Sequence, residues 1–155
     1  MAGVRVIGFG NLDAGDDALG VLAVRSAAAR LHDLGAEVIA HGAPLAAVHL
    51  LEDVDAAVLV DAIRSVDGSR PVGTLVRAVA DRGSLPSTFR SSLSSHGLGI
   101  AEVVALSATL GHEPRIVVLG LEADVSRVGD GLSPAVEAAL PSLAAAIVDE
   151  VRALR

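Results

Sequence analysis

The sequence predicts an open α/β sheet, mostly parallel, with one antiparallel strand. Three observations carry this. Short apolar runs alternate along the chain with segments whose apolar residues recur every three or four positions, the pattern of strands joined by crossover helices. The first such unit, Val4 to Gly20 (VRVIGFGNLDAGDDALG), passes from strand through a glycine-bearing loop into a helix. The connection from Arg64 to Pro71 is polar and short. Parallel neighbours need a dozen or more residues between them, usually helical.

Taken in order, Val4, Val6 and Ile7 lead into Gly8, Phe9 and Gly10, a run too short for a helix and stopped by glycine. Asp17 to Leu34 reads as a helix that Gly35 ends. Ala36 to Ala40 is a second strand, followed by His41 and Gly42. Pro44 suits the first turn of a short helix running to Glu52, with Leu45, Val48 and Leu51 on one face. Asp55 to Ile63 is the third and most apolar strand, and Asp61 falls at its carboxyl end. Val72 to Val79 is the fourth strand, antiparallel by the argument above. A long loop follows from Ala80 to Gly97, rich in Ser, Gly and Pro, and loops of that length are more often functional than idle. Leu98 to Leu110 is a helix, Arg115 to Leu121 a fifth strand, and a terminal helix starts with Ser133 as N-cap and Pro134 at its first position.

The length of 155 residues implies one domain, residues 1–155. Mean hydropathy is high at +0.57, but no apolar segment reaches the ~18–20 residues of a spanning helix. The opening residues show no signal-peptide pattern, so a cytoplasmic protein with no membrane partner is expected. All 12 basic residues are arginine, which excludes a phosphate-loop lysine, a Schiff base and a lysine general base. Absence of cysteine excludes thiol nucleophiles and thiolate metal sites. A net charge of −7 and only two aromatic residues, Phe9 and Phe89, argue against nucleic acid. The dinucleotide fingerprint fails because Asp13 stands where a third glycine belongs, so no nucleotide cofactor is expected. HExxH and GxSxG motifs are missing. A receiver domain would also place acids after strands one and three, but it needs a lysine that this chain lacks.

Three side chains stand where chemistry could be done. Asp17 opens the helix after the first strand, Asp61 ends the third, and His96 precedes a later helix. If the first and third strands are neighbours, their ends lie ~5 Å apart, and two carboxylates plus an imidazole could share one ion with coordination positions left open. Each has a plainer reading. Asp16 or Asp17 could simply cap the helix. His96, between Ser95 and Gly97, could be a solvated loop residue. Asp61 resists such a reading, since a carboxylate ending an apolar strand is expensive unless paired.

At these residues the chain resembles the hydrogenase maturation endopeptidases, which process the large subunit of nickel–iron hydrogenases. The resemblance rests on Gly8-Phe9-Gly10-Asn11 with Asp16-Asp17 and Gly20, and on Val60-Asp61-Ala62-Ile63. It continues through Ser95-His96 with Gly99 and Glu102, then Leu119-Gly120-Leu121-Glu122 and Gly129-Asp130-Gly131-Leu132-Ser133-Pro134. It implies a three-layer α/β/α sandwich (phosphorylase/hydrolase-like) around a five-stranded sheet with one antiparallel strand. It implies Asp17, Asp61 and His96 as metal ligands and catalytic residues, with no permanent zinc. Nickel already seated in the precursor would be the recognition element, and the reaction would be a single removal of the precursor's C-terminal extension. The resemblance leaves open which group delivers the water, with Asp16 as one candidate helper. The expected partner is the nickel–iron hydrogenase large-subunit precursor, met by a monomer. One segment departs from the resemblance: family members carry Gly-Thr-x-Gly after the second strand, where this chain has Gly42-Ala43-Pro44-Leu45-Ala46. That departure motivates an alternative, a metal-sensing module that binds a maturation partner without cutting. The rim of the cleft is expected to be Gly42–Leu45 and Ala80–Ser95.

Overall fold

A computed structural model describes residues 3–12, 15–41, 45–65, 68–86, 92–94, 99–124 and 131–155. Its strands are β1 (Val4–Phe9), β2 (Glu37–His41), β3 (Ala56–Ser65), β4 (Leu75–Val79), β5 (Ser92–Ser94) and β6 (Arg115–Glu122). The α-helices are α1 (Leu19–Asp33), α2 (Ile100–Thr109) and α3 (Pro134–Leu154), and two 3-10 segments cover Gly15–Ala18 and Leu45–Leu51.

Five strands lie in the order β2-β1-β3-β6-β4, with β5 added to β3. β1, β2, β3 and β6 are parallel and β4 runs antiparallel to β6, as the helix-free connection requires. β4 begins at Leu75 rather than Val72, because Thr74 donates its backbone N–H to Pro71 at 3.1 Å and its hydroxyl to the same carbonyl at 2.6 Å, closing a turn. The three-residue β5 lies inside what reads in the sequence as loop, since Ser-Leu-Ser carries no usable periodicity.

Alternation along the central strands builds two cores. Val6, Val58, Val60, Val117 and Leu119 face one way, beneath α1 and α3 with Leu31, Leu143 and Ile147. Ile7, Leu59 and Val118 face the other way, beneath α2 and the second 3-10 segment with Phe9, Leu51 and Val103. The result is the expected three-layer sandwich. The segment read as a helix over Pro44–Glu52 is a 3-10 run, and the apolar spacing of Leu45, Val48 and Leu51, three by three, is that of a 3-10 turn. Val48 and Leu51 are buried as expected, joined by Ala47.

α1 ends on Gly35, whose φ of 79° lets Gly35 and Ala36 return their N–H groups to His32 and Leu31 at 2.9 and 3.0 Å. At the base of β1, Arg5 donates to the Leu50 carbonyl at 2.6 Å, Glu37 at 2.8 Å and Asp53 at 2.9 Å, joining β1, β2 and the 3-10 segment. Burial alone would lower this guanidinium's pKa, but the hydrogen bonds to the two carboxylates prevail and raise it. No described helix is long and apolar enough to cross a membrane.

Candidate functional site

The glycines of the first loop bring α1 unusually close to the sheet. A Cβ at Gly20 would overlap the carbonyl oxygens of Phe9 and Val60, and one at Gly8 would overlap the Gly20 carbonyl. One at Gly10, where φ is +152°, would overlap the Asp17 carbonyl. The helix start is therefore seated directly on the carboxyl ends of β1 and β3. Gly20→Ala is expected to force these backbones apart at about 1–3 kcal/mol, read as a lower melting temperature.

That seating places Asp17. It lies half-buried in the 3-10 turn Gly15–Ala18, which contacts β3. The α-helix proper starts two residues later with Ala18 at its N-cap, so Asp17 does not occupy the capping position that its sequence context also allowed. Asp61 sits one residue beyond the Gly8–Val60 pair in the β1–β3 ladder and opposite Gly120 of β6. It is fully buried, and its Oδ1 accepts the Ala62 backbone N–H at 2.8 Å. Gly120 leaves space beside it that Ile63 fills, since a Cβ there would meet the Ile63 side chain at 2.6 Å. β1 and β3 are thus neighbours, the condition on which the sequence brings the two acids together, and Asp17 and Asp61 lie at the same end of the sheet.

His96 lies outside the described residues. Among the described ones, no three His, Asp or Glu side chains form a group able to hold a metal.

Asp16 has a role the sequence did not disclose. It is buried, and Oδ1 accepts the Ser133 N–H at 2.6 Å. Oδ2 accepts the Asp124 N–H at 2.8 Å and the Ser133 hydroxyl at 2.7 Å. This carboxylate ties the 3-10 turn to the segment following β6 and to the start of α3, an anchoring role. Ser133 is the N-cap of α3 as expected, but its hydroxyl serves Asp16 and makes no capping bond. Glu122 is a second buried tie. It receives the Ser65 N–H at 3.0 Å on both oxygens and the Arg70 Nε at 3.0 Å, holding the ends of β3 and β6 together beyond Asp61.

Part of the expected rim, the stretch from Ala80 to Pro86, lies elsewhere. β4 runs from its pairing with Leu121 down to its pairing with Val117, and Ala80 donates its N–H to Ile116. The segment starting at Ala80 therefore sits at the far end of the sheet from Asp61. Among the described residues of the expected rim, β5 is back at the carboxyl end, antiparallel to β3, while residues 42–44, 87–91 and 95 lie outside the described residues.

Residues 23–150 match the family model HycI, hydrogenase maturation protease, a span that includes Asp61 and His96 and begins after Asp17. Among curated protein sequences, none matches. The fold is similar to that of the hydrogenase maturating endopeptidase HybD from E. coli, at 24% identity and a TM-score of 0.76, covering 97% of this chain and 92% of that one. An endopeptidase from Escherichia coli solved in solution is similar at 24% identity and a TM-score of 0.80, with the same coverage of 97% and 92%. The [NiFe] hydrogenase maturation protease HybD from Thermococcus kodakarensis gives 19% identity and a TM-score of 0.74 over 96% of this chain and 99% of that one.

Proposed function

We infer the reaction from kinship and geometry together: this chain belongs to the hydrogenase maturation protease family, and its two candidate carboxylates share one end of the sheet. The protein is a protease of hydrogenase maturation. On our reading it is an endopeptidase that removes the C-terminal extension of a nickel–iron hydrogenase large-subunit precursor, once, after nickel has been inserted.

The observation that carries this reading is the meeting of the Asp17 turn with the buried end of β3 at Asp61. Asp61 is fully buried near the carboxyl end of an otherwise apolar strand, where little water screens the attraction between a carboxylate and a cation presented by the substrate. The direction of β5 adds support. It runs antiparallel to β3, from Ser92 opposite Ser65 to Ser94 opposite Ile63, and so heads toward Asp61.

Carboxylate and imidazole oxygens and nitrogens suit nickel as donors. Nickel belongs to the substrate in this scheme, and it supplies Lewis acidity where the precursor is cut. Asp17 and Asp61 provide fixed negative charge that accepts the metal-loaded precursor and gives the metal-free form nothing to bind. Asp61 needs no rearrangement, because the Ala62 N–H and the surrounding core hold its orientation. We place the enzyme in the cytoplasm as a monomer.

The test is to incubate the protein with precursor in nickel-loaded and nickel-free forms and to weigh the products by mass spectrometry. Loss of the C-terminal extension from the nickel-loaded form alone is the expected result. Equal cutting of both forms would remove nickel from the scheme. Metal-dependent binding with no cutting of either would favour the non-cleaving module that the Gly42–Ala46 segment motivates.

A further inference from the structure

The far end of the sheet holds a pocket of its own. Its volume is about 240 Å³, and it lies where β6 begins, with Arg115 and Ile116 in its wall. β6 is parallel to β3, whose opposite end carries Asp61, so this pocket is separate from the candidate site.

Its floor and its rim differ in chemistry. The floor is apolar, made by Val104 and Ala108 of α2, Ile116 and Pro114. The rim carries Arg82, Arg115, His112 and Glu113. Neither guanidinium has a hydrogen-bonding or ionic partner among the described residues, and exposed Glu113 pairs with neither. Two cations lining one pocket with no ionic partner among the described residues stand out in a chain of net charge −7.

Arg82 is also held in an unusual way. It occupies the first central position of a two-residue turn in which Asp81 and Ser84 exchange backbone hydrogen bonds at 2.8 and 3.0 Å. Its φ is 52° and that of Gly83 is 79°, the geometry of a primed type I turn. Asn, Asp or Gly suit that position, and Arg82 is the one non-glycine residue with positive φ among the described residues. Gly83 packs so closely on Ala108 that a Cβ would lie 2.6 Å from the Ala108 methyl, which fixes the turn over the floor. The turn alone explains the glycine; it does not explain the arginine.

We propose that this pocket binds an aliphatic carboxylate: an apolar body on the floor, with its carboxylate between Arg82 and Arg115. Guanidinium donors match carboxylate oxygens in a planar, two-point fashion. The apolar floor selects against bare inorganic anions. A free aliphatic acid and the last residue of a peptide chain present the same chemistry.

Titrations of the full chain with N-acetyl-leucine, N-acetyl-leucinamide, inorganic phosphate and a hexapeptide ending in leucine separate these features. They are followed by NMR shifts of the Gly83 and Ala108 amides. N-acetyl-leucine is expected to move both, and the uncharged amide to bind roughly tenfold more weakly, since a charge-assisted pair is lost. A tighter hexapeptide identifies the peptide end as the source; equal affinity identifies the free acid. The deciding variant is Arg82→Asn, which suits the turn and keeps or raises the melting temperature. Its affinity for N-acetyl-leucine is expected to fall roughly tenfold. No shifts with any carboxylate, phosphate binding as well as N-acetyl-leucine, or unchanged affinity in Arg82→Asn would each overturn the proposal.

Discussion

Asp61→Asn is expected to fold normally and to leave the nickel-loaded precursor uncut. The substitution keeps the shape of the side chain and keeps an oxygen for the Ala62 N–H, which lies 2.8 Å from Oδ1. What it removes is the charge. In a fully buried position that charge has little water to screen it, so its effect on a bound cation is large. Loss of one preorganised electrostatic group at a reacting centre typically costs roughly 10²–10³ in rate, and here it also weakens capture of the substrate. A mass-spectrometric time course reads the activity, and a thermal melt within about 3 °C of the parent, or ~1 kcal/mol, shows that the fold persists. Asp55→Asn serves as control, since Asp55 is exposed and lies at the other end of β3. Processing by the Asp61 variant at the parent rate would remove this side chain from the mechanism, whatever the family.

The contrast between Asp61 and its neighbours shows what a sequence can disclose. Asp61 was legible because it is out of place: an acid toward the end of DAAVLVDAI interrupts an otherwise apolar run. The sheet was legible for a related reason, since strands buried on both faces must be apolar throughout and cannot pass for surface helices. The antiparallel fourth strand followed from a connection too short to cross over. What escaped notice was long-range. Asp16 and Asp17 are adjacent, equally acidic and equally good caps, and only the distant Asp124 and Ser133 distinguish them. β5 is a strand because β3 outruns β1 by several residues and leaves an unpaired edge, not because Ser-Leu-Ser favours extension. The turn at Asp81–Ser84 carries glycine where it should, but nothing in the sequence places it at the far end of the sheet. His96, the third member of the candidate trio, lies outside the described residues, so the imidazole rests on the sequence alone.

Asp16→Ala is expected to cause the largest loss of stability among the substitutions considered, with Asp17 left intact beside it. Its carboxylate receives three donors, two of them backbone N–H groups in buried or partly buried surroundings. Truncation leaves those donors without an acceptor and opens a void where water has little access. Each orphaned donor costs about 1–3 kcal/mol. Because the three share one acceptor group and do not add independently, the total is about 3–5 kcal/mol. For a chain of this size that lowers the melting temperature by roughly 6–20 °C. Asp16→Asn should recover only part of it: one oxygen can serve Ser133, but the amide nitrogen then faces the Asp124 N–H, donor against donor. Ser133→Ala, which loses only the hydroxyl contact, should be the mildest of the three. Activity measured well below the melting transition separates anchoring from chemistry. If Asp16 holds the turn and the start of α3 in register, the folded variant still cuts nickel-loaded precursor within about tenfold of the parent rate. A folded Asp16→Ala protein that has lost cutting altogether would return Asp16 to the reaction, because rigid placement of Asp17 by the glycine contacts at Gly10 and Gly20 would then be insufficient.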